Sequence, residues 1–180
     1  MMFRDLRADE IDCRVATCTK YGVFLLLYKD ARCDMNILDE TVGPLNWTRS
    51  HTRDNANCIV SLWDESKKTW VSKEDTGTES YTEKEKGLAS DSFKRACFNW
   101  GIGRELYTAP SIWIGAKDGN VTLEENSKRP GTYTTKDRFC VEQIILKDKK
   151  IVALSIKNTS LGKRVVMYDI RPENEKNKSV

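Results

Sequence analysis

Apolar and polar residues alternate over most of the segment 11–18 (IDCRVATC), whereas the segment 22–28 (GVFLLLY) is a continuous apolar run. Two such segments separated by a short turn are typical of two paired strands. The period then changes, because after Asp30 the apolar residues recur at every third or fourth position. Asp30 is a typical N-cap residue, and Gly43 is a typical helix end. We therefore predict a strand pair followed by a helix over about 31–42.

Three further segments have the composition of strands, and they follow one another closely. They span 45–53, 58–63 and 68–73, and the charged stretch 64–68 between the last two reads as a hairpin turn. The next ten residues, 74–83, contain almost no apolar side chains. We expect this segment to be a mobile loop.

A second and longer helix is predicted after that loop. Thr82–Glu85 has the form of a capping box, and the helical period continues to about Trp100. Gly101 and Gly103 then provide stop signals. Trp113, which follows these glycines, is interpreted as a packing residue.

The residue composition changes again in the last third of the chain. Residues 116–137 are polar and rich in turn residues, whereas 139–146, 150–157 and 163–170 alternate as in an antiparallel meander. The predicted fold class is α+β, an antiparallel β-sheet with a long helix packed across it, plus a small C-terminal β meander. We predict a β-β-β-α core over 1–115 and a β-rich extension with a frayed tail over 116–180.

Composition and charge exclude several classes of protein. Of the 180 residues 39% are apolar and 32% are charged, and 30 basic against 27 acidic residues give a net charge of +3. No apolar run approaches the ~20 residues that cross a bilayer, and no secretory h-region is present. We expect a soluble, cytoplasmic protein with no membrane partner. The six cysteines form no C-x-x-C pair, so we expect free thiols, no metal site and no cofactor.

The second predicted helix carries an unusual surface. On a helical wheel its apolar positions gather on one side, and Phe98 lies opposite them. Lys94 and Arg95 flank Phe98 at four and three residues before it. Such a ring between two cations can stack on an unpaired base, pack against a neighbouring subunit, or simply be a stray aromatic on a solvated helix. The wheel leaves all three interpretations open.

Two other groups of residues are candidate sites. Arg49, His51 and Arg53 share one strand face at period two, which predicts a basic surface. Asp54 and the Glu65-Ser66-Lys67 segment faintly resemble the two carboxylates and the lysine of a Mg²⁺-dependent nuclease. Charged turn residues are the commoner explanation for the latter pattern.

The segment KGLASDSFKRACFNWGIGRELY (86–107) resembles the helix signature of the Rad-fifty-two-like superfamily of single-strand annealing proteins, and its phage Sak-type branch fits best. A second block, YKDARCDMNILDETVGPLNW (28–47), is similar to the strand–helix–Gly-x-x-Trp segment of that family. The two blocks occur in the family's order, and the resemblance covers roughly residues 9–115.

This resemblance implies a β-β-β-α core that assembles as a homo-oligomer, either a ring or a helical filament, on single-stranded DNA. It implies ATP-independent annealing of complementary strands in recombination and DNA repair, by a phage-encoded protein in the bacterial cytoplasm. The chain contains no G-x-x-x-x-G-K-[ST] nucleotide-binding motif, in agreement with that expectation. A single-strand binding protein or an exonuclease is an implied partner, and the protein is not expected to be an enzyme.

The resemblance also assigns roles to single residues. The Lys-Arg pair of the motif maps onto Lys94 and Arg95, and an arginine on the first strand maps onto Arg14, all as DNA contacts. Arg32 and Arg104 lie inside matching blocks, although Arg32 has a structural ion pair as an alternative role. A basic residue of the eukaryotic members is replaced here by Phe98. A nucleic-acid-binding module that does not anneal remains the main alternative function.

Overall fold

The computed structural model describes residues 2–78 and 84–176, with all side chains in these ranges except those of 84–86. It is an α+β protein in which antiparallel strands predominate over helices. The strands are β1 Asp12–Thr19, β2 Gly22–Tyr28, β3 Trp47–Thr52, β4 Asn57–Asp64, β5 Thr69–Thr76, β6 Ile112–Gly115, β7 Glu124–Glu125, β8 Tyr133–Thr134, β9 Phe139–Lys147, β10 Lys150–Asn158 and β11 Lys163–Asp169. The α-helices are α1 Ala31–Val42, α2 Lys84–Asn99 and α3 Glu173–Lys176.

The chain divides into two compact units that do not follow the chain order. The first unit contains Lys29–Arg104 with the first few residues of the chain, and the second contains Leu6–Tyr28 and Glu105–Val180. This division by contacts differs from the functional division at residue 115, which stays a prediction. None of the helices in the described ranges has the length and apolar content needed to cross a bilayer.

The first unit consists of α1, the three-stranded sheet β3-β4-β5 and α2. Helix α1 begins where predicted, because the Asp30 carboxylate accepts hydrogen bonds from the backbone N–H groups of Arg32 and Cys33. On the central strand β4, the alternating residues Cys58, Val60 and Leu62 are buried. Their side chains form the sheet's contribution to the core of this unit.

Aromatic residues connect α2 to the same sheet. The buried ring of Phe93 stacks on Trp47 of β3 with a centroid separation of 6.1 Å. Beyond the last turn of α2, the Trp100 indole N–H donates to the carbonyl of Val60 at 3.1 Å. These contacts place the predicted apolar face of α2 in the core.

A buried ion pair explains why glycine follows the helix at residue 103. The Lys29 ammonium group donates to both carboxylate oxygens of Asp34, and both side chains are almost fully buried. Gly103 has a φ of +74°, and a Cβ there would lie 2.2 Å from Cε of Lys29. Burial raises the pKa of Asp34 to about 6, and the nearby Lys29 charge opposes that shift.

The second unit contains a six-stranded antiparallel sheet in the order β11-β10-β9-β1-β2-β6. The β1–β2 hairpin joins the C-terminal strands through the pairing of Asp12 with Cys140. The two edge strands, β6 and β11, approach each other, so the sheet is nearly barrel-like. The C-terminal strands β9, β10 and β11 form the predicted antiparallel meander, and this meander continues the larger sheet through β1.

The predicted elements are otherwise confirmed, apart from small shifts in their bounds and one segment. The polar residues Glu74–Thr76, expected in a loop, continue β5 because they pair with Asn57–Ile59 of β4. Residues 79–83 of the predicted loop lie outside the described residues, as do Thr82 and Glu83 of the predicted capping box and the side chains of its other two residues. All six cysteines are free thiols, as expected, and burial raises the pKa of Cys58 to about 11.

Candidate nucleic-acid interface

The predicted cationic surface on α2 is arranged around Phe98. We define the α2 cluster as Lys94, Arg95, Phe98 and Arg104. The Arg104 guanidinium carbon lies 5.4 Å from the centroid of the Phe98 ring, within cation–π range. Arg104 also donates to the backbone carbonyls of Phe98 at 2.9 Å and Asn99 at 3.0 Å. Phe98 is half-buried, and it is not the fully exposed ring that the helical wheel suggests.

Lys94 and Arg95 lie one turn before Phe98, and each has an acidic neighbour. The Lys94 ammonium lies 4.0 Å from Asp91, on the same helix, and the Arg95 guanidinium lies 3.5 Å from Asp75 of β5. The two cationic side chains are 29% and 43% exposed, respectively. The Nε atom of Arg95 is buried and has no hydrogen-bond partner among the described residues. Both charges are therefore partly neutralised, and Arg95 keeps unused donor capacity.

The C-terminal end of α2 receives a second cation from β5. The Lys73 ammonium donates to the Asn99 carbonyl at 2.8 Å and lies 4.4 Å from the centroid of the Trp100 ring. The Asn99 amide in turn donates to Asp75 at 3.2 Å. Cations at a helix C-terminus interact favourably with the helix dipole. Lys73 and Arg104 thus stabilise this end of α2 and add positive charge beside Phe98.

The predicted basic strand face is only partly formed. Arg49 on β3 lies over the buried Phe93 ring at 4.8 Å, so it faces α2. His51 also faces α2, with Nδ1 at 3.4 Å from the Ser92 hydroxyl, and burial together with the Arg49 charge lowers its pKa. Arg53 lies in the turn after β3 with a φ of +51°, so it does not continue the strand face.

The remaining candidate residues are separated from the α2 cluster along the chain. Arg32 forms an ion pair with the helix-capping Asp30 at 2.9 Å, as the alternative interpretation expected, yet its side chain is 84% exposed. Arg14 lies on β1 and belongs to the second unit. Its backbone pairs with β2, and its side chain is exposed with no ion pair or hydrogen bond among the described residues.

The nuclease pattern is not supported by the geometry. Asp54 lies in the turn before β4, and Glu65 lies in the turn after it. Because β4 is eight residues long, a strand of roughly 26 Å at about 3.3 Å per residue separates the turns that hold the two carboxylates. Glu65 accepts hydrogen bonds from Lys68 and Trp63. No group of three or more candidate metal ligands occurs within the described ranges.

Positive charge is unevenly divided between the two units. The first unit has thirteen Lys and Arg residues against fourteen Asp and Glu residues, a net charge of −1. The second has seventeen against thirteen, a net charge of +4. Anion binding by the first unit must therefore depend on the local placement of its cations.

Sequence reasoning missed several residues of this interface. Lys73 and Asp75 alternate on the helix-facing side of β5, opposite Val60 and Cys58 of β4. Lys73 lies in the predicted strand 68–73, where no site role was assigned to it, and Asp75 lies in the segment whose polar composition favoured a loop. In the second unit Trp113, interpreted as a packing residue, packs against Phe24 with a ring-centroid separation of 4.6 Å and is 41% exposed.

No family model, curated protein or solved structure matches this chain.

Proposed function

We propose that this protein is an ATP-independent single-stranded DNA-binding and annealing protein of the Rad-fifty-two-like superfamily, similar to the phage Sak type. In this proposal α2 and the sheet β3-β4-β5 are the annealing core. The observation that carries the proposal is the α2 cluster, in which two cations precede a half-buried phenyl ring and a third cation lies over it. The resemblance of the block 28–47 to the family supports it as well, and that block contains none of the residues of the α2 cluster.

The cluster has the chemistry that single-stranded DNA requires. Guanidinium and ammonium groups neutralise phosphates, and each neutralised phosphate releases a counterion. The Phe98 ring provides a surface on which a base can stack, worth roughly 1–3 kcal/mol per base. These contacts are made to the phosphates of the DNA backbone and to the faces of the bases. They therefore leave the Watson–Crick edges free and depend little on the DNA sequence. A strand held in this way can still pair with its complement.

Annealing then needs no covalent chemistry. Two complementary strands repel each other through their phosphates, and a shared basic surface reduces that repulsion while raising their local concentration. The first unit has a net charge of −1, so one protomer offers only a local cationic strip. Assembly as a homo-oligomer, in a ring or a helical filament, would join these strips into a continuous track. This is why we include oligomerisation in the proposal.

The proposal is tested by mixing the protein with two complementary oligonucleotides labelled as a fluorescence donor–acceptor pair, without nucleotide and with EDTA. We expect duplex formation to be accelerated severalfold or more over the spontaneous rate. Retention of strands without faster pairing would contradict annealing and favour the binding-module alternative. Loss of labelled strands only after Mg²⁺ addition would instead favour a nuclease.

A further inference from the structure

The second unit carries a group of exposed apolar side chains on the outer face of its sheet. Phe24, Leu26 and Tyr28 alternate along β2 with buried residues, and they are 40%, 47% and 38% exposed. Trp113 of β6 pairs with Phe24 across the strands and is 41% exposed. Their ring centroids are 4.6 Å apart with an interplanar angle of 54°. We call these four residues the β2–β6 platform.

Gly22, the first residue of β2, leaves room for the Trp113 ring because it has no side chain. A Cβ on Gly22 would lie 2.8 Å from Cζ2 of Trp113 and 2.2 Å from the carbonyl oxygen of Ile114. The indole therefore occupies the space that a side chain at residue 22 would fill. An open groove of about 450 Å³ lies beside the platform, and it is lined mainly by apolar residues of β2 and the 106–112 segment.

Cations accompany the platform. Arg14 of β1 lies directly opposite Leu26, so its side chain shares the outer face of the sheet. The Arg14 side chain is exposed and has no acidic partner among the described residues. Two carboxylates also lie near the platform: Asp12 is opposite Tyr28, and Asp118 and the Trp113 indole nitrogen both lie within 4 Å of the position that a Cβ on Gly115 would take. At the turn of the same hairpin, the Lys20 ammonium lies 4.9 Å from the Tyr21 ring centroid. These cations belong to the unit whose net charge is +4.

We propose that the β2–β6 platform is a stacking surface for the bases of a single-stranded polynucleotide, with Arg14 and Lys20 directed to its phosphates. Aromatic rings beside cations are the arrangement that single-strand binding uses. The ligand's identity as single-stranded DNA rests on the function proposed above. The platform is a second contact surface, on different residues from the α2 cluster.

A protein partner fits these observations less well. Four side chains of roughly 200 Å² each, about 40% exposed, offer roughly 300 Å² of surface. A stable protein–protein interface buries about 800 Å² on each partner, and its core is depleted of charged residues. A base stacked on one or two rings needs far less area. The size and charge of the platform therefore favour a nucleic acid.

Photocrosslinking tests the position of the bases. The full-length protein is irradiated with a single-stranded oligonucleotide that carries 5-iododeoxyuridine, and the products are digested with trypsin. We expect crosslinks in the tryptic peptides 21–29 and 105–117, which contain Phe24 and Trp113. Crosslinks confined to the α2 peptide 96–104 would overturn the proposal.

Substitution tests the contribution of the rings to binding. We expect Phe24→Ala/Trp113→Ala to weaken binding of an oligo-dT strand tenfold or more, measured by fluorescence anisotropy. The matched control, Met167→Ala/Ile170→Ala, removes exposed apolar side chains elsewhere in the same unit and should change binding less than twofold. Trp113→Phe keeps a ring and should bind within about threefold of wild type, which separates stacking from a folding defect.

Three further outcomes decide between this inference and its rivals. If the double alanine variant alters the oligomeric state by light scattering while DNA affinity per protomer is unchanged, the platform is a protein contact and the proposal is wrong. If wild type binds DNA through the platform but does not accelerate annealing, the platform is a DNA contact and the proposed annealing function is wrong. If the double alanine variant both binds and anneals DNA like wild type, the platform is not a DNA contact and the proposed annealing function is unaffected.

Discussion

The Arg104 guanidinium both covers the Phe98 ring, at 5.4 Å from its centroid, and donates to the Phe98 carbonyl at 2.9 Å. One arginine therefore fixes the last turn of α2 and sets the surface beside the aromatic side chain. The half-buried ring is consequently held in a defined position, which reduces the entropy lost when a base stacks on it.

Phe98→Ala should weaken single-stranded DNA binding by about 5- to 100-fold, because it removes a stacking contact worth roughly 1–3 kcal/mol. Phe98→Tyr keeps the ring and should bind within about threefold of wild type. Anisotropy with oligo-dT measures both, and thermal unfolding checks that the two variants are equally folded. Equal loss of binding in both variants would mean that the ring has a packing role only.

Asp75→Asn should strengthen DNA binding at low salt. The carboxylate lies 3.5 Å from the Arg95 guanidinium, so its removal leaves that cation free for phosphate, while the amide can still accept from Asn99. Because exposed ion pairs contribute about 0–1 kcal/mol, we expect a gain of up to about fivefold that disappears at high salt. Arg95→Ala should have the opposite effect. Weaker binding by Asp75→Asn at low salt would contradict this role for Arg95.

Gly103→Ala should destabilise the protein by more than about 2 kcal/mol, because a side chain there needs a positive φ and displaces the buried Lys29. Gly101 provides the matched control. It also has a positive φ, of +97°, but a Cβ there would meet nothing within 4 Å, so Gly101→Ala should cost only about 1 kcal/mol. Urea unfolding measures both values. Equal losses in the free energy of unfolding for Gly103→Ala and Gly101→Ala would show that the contact with Lys29 does not contribute to stability.

The buried Asp34 should make stability depend on pH. Its folded-state pKa is raised to about 6, above the ordinary value near 4, so the folded protein keeps a proton that the unfolded chain releases. The contribution of Asp34 to the free energy of unfolding is therefore fully present below about pH 4 and is lost as the pH rises towards 6. Between these pH values we expect the free energy of unfolding to fall by about 2–3 kcal/mol more in wild type than in Asp34→Asn. A difference between the two proteins that stays constant from pH 4 to 6 would contradict the assignment.

Local sequence patterns predicted the elements well, because their signals lie within a few residues. The Asp30 cap, the apolar run 22–28 and the glycines after α2 are each signals for the structure formed at their own positions. The partition into two units was not accessible in this way. It depends on the pairing of Asp12 with Cys140, which are 128 positions apart and carry no local signal for one another.

The candidate site was predicted less completely for the same reason. The helical wheel placed Lys94, Arg95 and Phe98 on one surface, but it contained no information on Asp75, which lies about twenty residues earlier and pairs with Arg95. The period of two on β3 placed Arg49 on a defined face. It could not show that this face meets Phe93 of α2, because side-chain partners across elements are set by tertiary packing.

The most direct test of the central claim compares annealing rates between two double variants. Lys94→Ala/Arg95→Ala removes two cations from the α2 cluster, and Lys67→Ala/Lys68→Ala removes two from the turn between β4 and β5. Both lower the net charge equally, so only their position differs. We predict that, with EDTA and no nucleotide, the first variant loses acceleration of duplex formation while the second anneals like wild type. Equal rates in the two variants, or no acceleration by wild type, would contradict the account.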